Sequence, residues 1–401
     1  MKITARNNCT GCGVCVAVCP KKSISLEMGE SGFWAPNVDE STCVKCGLCQ
    51  KKCHANHVHE TIALKLAYAA YSLSPEIRSS SSSGGVFSHA AKKIIETGGR
   101  VYGATVDADL VIRHVRCATI ESIECLRGSK YVQSFIAENI YQDIKNDLNT
   151  GIAVLFSGTP CQVGALHSFL DKKYDNLYTI TFICHGVPSP LVWEKYIEWQ
   201  ENEHNDKVVA ASFRNKRLGW SNFCMKLDFA HGKEYICSHR RDPFMQIFLK
   251  NACLHSTCHN CDYKGDKHLG IADIMMADWW GYTPGILKND SDNKGLSLIL
   301  LNTAQGVRLF DIFKQELECA AVDFTLNVSN NHSFAHSASS SPNRDKIMAG
   351  ISHIPINILA GKFARTPLTT RIKQTLLILS YNIVKQLRLL GVYRKFKNRK
   401  M

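Results

Sequence analysis

The 401-residue sequence has no uncharged apolar run of the roughly 18 residues that a membrane-spanning helix needs. Nor does it begin with the apolar stretch of a secretory signal, since Met1 to Asn8 lead directly into Cys9. Both absences point to a cytoplasmic, non-spanning protein. Acidic residues are missing from one region, Lys362 to Met401, which holds 11 Lys or Arg and no Asp or Glu. Residues 1–60 carry 7 basic and 5 acidic side chains, and residues 61–361 carry 30 of each sign. The net charge of +13 therefore belongs largely to the tail, and a balanced body argues against an extended nucleic-acid groove. Cysteine, by contrast, is abundant at 18. A chain this long, 45% hydrophobic, can bury about two or three cores without disulfide staples, so the cysteines indicate metal or redox work in a reducing compartment.

Eight of them form two copies of one motif. Cys9, Cys12, Cys15 and Cys19 precede Pro20, and Cys43, Cys46, Cys49 and Cys53 repeat the spacing beyond a strand-like stretch from Ser23 to Leu26. Three thiolates at i, i+3 and i+6 can hold three corners of a cubane, and in two-cluster bacterial ferredoxins the other copy donates the fourth. By that rule Cys9, Cys12, Cys15 and Cys53 hold one [4Fe–4S] cluster, and Cys43, Cys46, Cys49 and Cys19 the second. Gly11, Gly13 and Gly47 let backbone amides approach the sulfides. Zinc also uses C-x-x-C pairs, but it needs four ligands per ion in paired spacing, and these two runs leave an awkward third pair. The second motif ends Cys53-His54, without proline, and His54, His57 and His59 read as a solvated linker.

Beyond Thr61 the pattern turns to strand–loop–helix units. Ser79 to Ser83 and Gly84-Gly85 lead into an amphipathic helix through Val86, Phe87, Ala90, Ala91, Ile94 and Ile95. This loop is either a phosphate cradle at a helix N-terminus or a flexible serine linker. Ile152 to Phe156 reads as a buried strand, followed by Ser157 to Gln162 and a helix through Val163, Leu166 and Leu170. Tyr178 to Ile183 reads as the next strand, with Cys184 to Pro188 as its loop and a helix from about residue 190 to 200. Cys161 and Cys184 thus fall beyond the carboxyl ends of two successive, parallel strands, the edge where open α/β sheets place ligands.

A further group follows at Cys253, Cys258 and Cys261. Cys258 and Cys261 need two more ligands, and Cys161 and Cys184 are the candidates for a third [4Fe–4S] cluster, with Cys253 as a substitute. A tetrahedral zinc site fits the same residues. Cys117, Cys125, Cys224, Cys237 and Cys319 lack such spacing and read as structural. Arg214, Lys216 and Arg217, near Gly219-Trp220, read either as an anion-binding group or as solvated surface.

Several segments together resemble the β-subunit family of coenzyme F420 hydrogenases and dehydrogenases, over about residues 1–340. They are Ser83 to Val86, Gly128 to Ser134, Leu155 to Val163, Cys184 to Ser189, Cys258-x-x-Cys261 and Ala272 to Gly281. The resemblance implies a non-covalent FAD in the body, a cluster close to it, and the N-terminal clusters as a relay to a partner. Carried over by position, Ser83, Gly84, Gly85, Ser129, Lys130, Tyr131, Gly158, Thr159 and Gln162 line the flavin, and Lys130 suits an anionic cofactor. Where the family has Gly-Asp-x-Trp-Gly this chain has Ala277-Asp278-Trp279-Trp280-Gly281, which leaves the role of Asp278 open.

The expected fold class is an α+β ferredoxin-like two-cluster module followed by an α/β flavin-binding body. The expected divisions are residues 1–60 for the module, 61–150 and 151–345 for the two parts of the body, and 346–401 for a basic tail. The expected function is an oxidoreductase that passes electrons between its [4Fe–4S] clusters and an organic two-electron substrate, reduced coenzyme F420 or another small molecule, through FAD. Its partners would be ferredoxin or another redox protein. The rival readings are an electron-transfer subunit whose chemistry is done by a partner enzyme, and a zinc-stabilised scaffold. In the tail, Ile372, Leu376, Leu379, Ile383, Leu387 and Leu390 draw one apolar stripe on a basic helix. It reads as a peripheral contact with the inner membrane face, a docking helix, or a helix packed on its own domain.

Overall fold

The structure, a computed structural model, describes residues 3, 8–57, 61–282 and 284–364. The apolar stripe of the tail lies outside the described residues. Each cysteine motif folds the same way. A tight loop closes on a short helix, Val14–Ala17 in the first copy and Leu48–Lys51 in the second. Each helix follows a glycine in the left-handed region, Gly13 at φ 81° and Gly47 at φ 74°, a conformation that a Cβ would strain. Between the copies β1 (Ile24–Met28) and β2 (Trp34–Val38) pair antiparallel, Ile24 opposite Val38.

The body is built on an eight-stranded sheet. Its strands are β3 (Leu66–Ser72), β4 (Arg100–Val106), β5 (Ile112–Cys117), β6 (Val154–Ser157), β7 (Leu177–Phe182), β11 (Ile274–Asp278), β12 (Ser297–Leu301) and β13 (Leu317–Val322). The remaining three, β8 (Val208–Asn215), β9 (Cys224–Phe229) and β10 (Glu234–Ser238), make a separate antiparallel sheet. The large sheet runs β13-β3-β12-β11-β7-β6-β4-β5. Its centre, β11, β7, β6 and β4, is parallel, and both flanks are antiparallel. Parallel strands need cover on both faces, and the apolar run of β6 receives it. Helices Val86–Glu96 and Ala304–Phe313 pack Ala90, Ile94, Leu309 and Phe313 on one face. Glu138–Asn149 and Pro160–Leu170 pack Ile140, Ile144, Val163 and Leu166 on the other.

Two local readings shift. The serine run is not one loop: Ser79 and Ser80 end a helix, Pro75–Ser80, capped by the Ser74 hydroxyl. The helix after Pro190 extends to His204, held in the core by Trp193, Tyr196 and Ile197. Among the described residues no helix is long and apolar enough to cross a membrane.

The dicluster segment is seated on the body. Gln133 takes the Trp34 amide at 2.7 Å and donates to the Thr10 carbonyl at 3.0 Å, and Tyr141 donates to the Cys12 carbonyl at 2.7 Å. The Ser189 hydroxyl donates to the Gly32 carbonyl at 2.7 Å, and Ser168 to the Lys52 carbonyl at 2.8 Å.

Candidate functional site

In the N-terminal segment the fold crosses the two motifs over. Cys9, Cys12, Cys15 and Cys53 line one cavity together with Thr10, Gly11, Gly13 and His54. Cys9, Cys12 and Cys15 each feel the charge of Cys53, and Cys49 feels those of Cys46 and Cys19. Burial pushes the Cys15 thiol up to about 12, and neighbouring thiols add to it. Such crowding is unfavourable for bare thiolates and suits a cationic core between them. The Gly11 amide already points at Cys9 Sγ, 3.4 Å away.

At the carboxyl edge of the parallel strands a second thiol set assembles. Cys161 opens the helix after β6 and Cys184 follows β7, while Cys258 and Cys261 come from a short helical turn, Ser256–Asn260, and its end. Cys161 feels Cys261, Cys184 and Cys258, so the four sequence-distant thiols face one another. Each has a donor. Thr159 Oγ1 lies 3.1 Å from Cys161 Sγ, the Val187 amide donates to Cys258 Sγ at 3.5 Å, and the Tyr263 amide to Cys261 Sγ at 3.4 Å. The Gly186 amide serves Cys184. Lys264 donates to the Cys184 and Ser333 carbonyls and lowers the cost of negative charge on Cys184, Cys258 and Cys261. Cys253 stays apart, fully buried in the apolar core with Leu254 and Phe248.

His54, expected in a solvated linker, is instead buried between the two thiol sets. Its Nε2 meets Thr10 Oγ1 at 2.9 Å and its Nδ1 meets the Tyr263 hydroxyl at 2.7 Å. Desolvation holds the ring's pKa down at about 4. Tyr263 in turn feels Cys161 and Cys12, one from each set. The sequence hid this because His54 finds its partner 209 residues away.

The basic trio also departs from the surface reading. Arg214 is buried, pairs through Nη1 with Asp278, and lies over the Phe223 ring at 4.5 Å. Its Nε and Nη2 are buried without a hydrogen-bond partner. Tyr131 stands close enough to favour its charge. Lys216 donates to the Ser83 and Lys294 carbonyls at 2.7 Å and to the Arg78 carbonyl. Only Arg217 behaves as surface, paired with Glu234 at 2.7 Å. Asp278 has a definite place: it ends β11, pairs with Arg214 and accepts the Trp220 indole at 3.0 Å. Ala277, standing for glycine, pairs with Leu298 without a break in the strand.

Residues 152–325 match the family model for the carboxyl-terminal part of the coenzyme F420 hydrogenase/dehydrogenase beta subunit, and residues 8–57 match the 4Fe-4S dicluster domain. Over residues 152–325 the chain is thus similar to the coenzyme F420 hydrogenase/dehydrogenase β subunits. It carries an N-terminal dicluster domain and is an iron–sulfur protein. A 60-residue stretch is 35% identical to an iron-sulfur subunit of the CoB–CoM heterodisulfide reductase of Methanocaldococcus jannaschii, 12% of this chain and 9% of that protein. The chain thus spans under a tenth of the length of that curated relative. A chain of the F420-reducing [NiFe] hydrogenase complex of Methanosarcina barkeri aligns over 69% of this chain and 90% of its own length, with 16% identity and a TM-score of 0.44.

The nine residues carried over from this family for a flavin sort into two groups. Ser83 Oγ donates to the Leu296 carbonyl at 2.6 Å, the Gly84 amide to Ser297 Oγ at 2.9 Å, and Lys130 Nζ to the Cys125 and Arg127 carbonyls at 2.9 and 2.8 Å. Gly85 caps the helix Val86–Glu96. Gln162 and Thr159 close a capping box, and Gln162 Nε2 donates to Ser134 Oγ at 2.8 Å. These groups serve the fold. Ser79, Ser80 and Ser81 donate inward to the carbonyls of Glu76 and Ile77, turning lone pairs rather than protons outward, which does not suit a phosphate. Ser129 and Ser82 join the two loops at 3.0 Å, and Gly158 donates to the Ile180 carbonyl at 3.2 Å. Tyr131, beside the incompletely paired Arg214, is the member that faces an unmet need for an anion.

Proposed function

We propose that the chain is an FAD-dependent iron–sulfur oxidoreductase that exchanges electrons with a redox protein at the dicluster domain and with an organic anion at the sheet edge. The observation that carries it is the second thiol set at the ends of β6 and β7, joined through Tyr263 and His54 to the first. In this reading Cys9, Cys12, Cys15 and Cys53 hold one [4Fe–4S] cluster, and Cys43, Cys46, Cys49 and Cys19 the next. Cys161, Cys184, Cys258 and Cys261 hold a third.

For the flavin, the fitting residues are Tyr131 and Arg214. Bound there, a flavin supplies the junction between one-electron and two-electron chemistry. Arg214 would neutralise an anionic group with the two nitrogens it leaves unused, and Asp278 fixes its guanidinium. Tyr131 would orient the same group, and the buried setting strengthens both contacts by excluding water.

Anaerobic purification with iron, zinc and flavin analysis tests the proposal. About twelve irons and about one flavin per chain are expected, with Cys258→Ser losing about four irons. Iron near eight without flavin would leave clusters only in the dicluster domain and remove the enzyme reading. Oxidation of reduced coenzyme F420 by the isolated chain, followed at the cofactor's absorption band, then distinguishes an enzyme from a subunit that depends on a partner.

A further inference from the structure

Two cysteines outside both thiol sets were expected to be structural, and the fold brings them together. β5 ends at Cys117, which is 2% exposed. The chain then turns through Ala118 to Glu121 into a short helix, Ser122–Leu126, that returns Cys125 to the same spot. Cys117 Sγ lies 3.1 Å and Cys125 Sγ 3.2 Å from one acceptor, the Ser122 carbonyl oxygen, so the two sulfurs are neighbours and each feels the other. Cys125 is exposed where Cys117 is buried. Lys130 Nζ holds the Cys125 carbonyl at 2.9 Å and its charge reaches both sulfurs.

The pair is asymmetric. The neighbouring Cys117 thiol, with help from Thr105 and Lys130, lowers the Cys125 thiol, while the closeness of Cys125 and burial push Cys117 up. An accessible thiolate beside a buried thiol is the arrangement that thiol–disulfide exchange needs.

We propose that Cys117 and Cys125 form a redox-modifiable dithiol that closes to a disulfide by exchange with a low-molecular-weight disulfide. The Cys125 thiolate attacks one sulfur of the small disulfide, forming a mixed disulfide and expelling one small thiolate. Cys117 gives up its proton to that leaving thiolate and attacks Cys125 Sγ, forming the internal bond and releasing the second small thiolate, which takes a proton from water. The two protein thiols are oxidised and the small disulfide is reduced to two thiols. A dithiol reductant reverses the exchange. Because Lys130 is anchored on the Cys125 carbonyl, closing the bond pulls on the loop that carries Tyr131.

The test uses the full chain with its clusters, under anaerobic conditions, exposed to glutathione disulfide, quenched in acid and mapped by peptide mass. The expected product is a cross-link between the Cys117 and Cys125 peptides, lost on adding dithiothreitol, with iron content unchanged. Cys117→Ser should stop at a glutathione adduct on Cys125, and Cys125→Ser should leave Cys117 unmodified. At pH 7 Cys125 should alkylate about tenfold faster than Cys237 or Cys319. Free thiols at both positions, a wild-type product halted at the mixed disulfide, a cross-link that appears only as iron is lost, or equal alkylation rates would each overturn the proposal.

Discussion

Gly164 sits where a methyl group would have no room, since a Cβ there would meet the Tyr263 hydroxyl at 2.4 Å and its Cζ at 2.9 Å. Gly164→Ala should push Tyr263 off His54 and cost about 1–3 kcal/mol, read as a lower thermal midpoint, while Gly361→Ala, with nothing within 4 Å, should be neutral. Equal midpoints for the two variants would show that Tyr263 is not wedged there. Arg214 gives a second residue-level expectation. Arg214→Met strands a buried carboxylate at Asp278 and should cost about 3–5 kcal/mol in denaturant unfolding, with Arg214→Met/Asp278→Asn recovering part of it. No recovery in the double variant would mean that the two side chains do not act as a pair.

Asp242 carries a pH dependence. It is fully buried, accepts the Tyr196 and Tyr235 hydroxyls at 2.7 and 3.0 Å, and desolvation raises it to about 6. The unfolded chain releases this proton near pH 4 and the fold only near 6, so this residue's share of stability falls as pH rises through that window and then levels. The loss is about 3 kcal/mol. Asp242→Asn should therefore gain in thermal midpoint over wild type between pH 5 and pH 7. A difference between the two proteins that does not change with pH would refute it. Positions such as Asp242, Arg214 and His54 were illegible in the sequence, because a polar residue's burial is decided by partners that other segments deliver. The cluster motifs were legible because their ligands lie within a dozen residues of one another, and only the crossing of Cys53 and Cys19 required knowledge of the duplicated fold.

Elements were legible where one segment contains the whole signal. β6 and β7 and the helices behind them follow from continuous apolar runs and helical periodicity, and their parallel pairing, Val154 beside Leu177, follows from the intervening helix. The flanks were not. β3 pairs with β12 and β13, more than 200 residues later, and no local pattern announces such a partner. The capping box that starts Pro160–Leu170 fixes the direction in which Cys161 leaves the sheet. Thr159→Val should cost about 1 kcal/mol of stability and Thr159→Ser almost nothing, by thermal unfolding. A larger loss in the serine variant would assign the effect to the methyl group instead.

Across the whole molecule, the crossed pairing can be read spectroscopically. Cys53→Ser should disturb the same electron paramagnetic resonance signal as Cys12→Ser, and Cys19→Ser the same signal as Cys46→Ser. Pairing by motif, Cys19 with Cys12, would contradict the arrangement in which Cys53 completes the first cavity. The dicluster segment is fastened by side chains as well as by the chain: Gln133 grips Trp34 and Thr10, Ser189 grips Gly32, and His54 is clasped between Thr10 and Tyr263. On the proposed electron path, charge leaving this segment for the sheet edge would cross packed side chains of fixed thickness. Viscous additives such as glycerol should slow the arrival of an external redox protein and leave that internal step at its original rate, as in a solid-state junction rather than a diffusing shuttle.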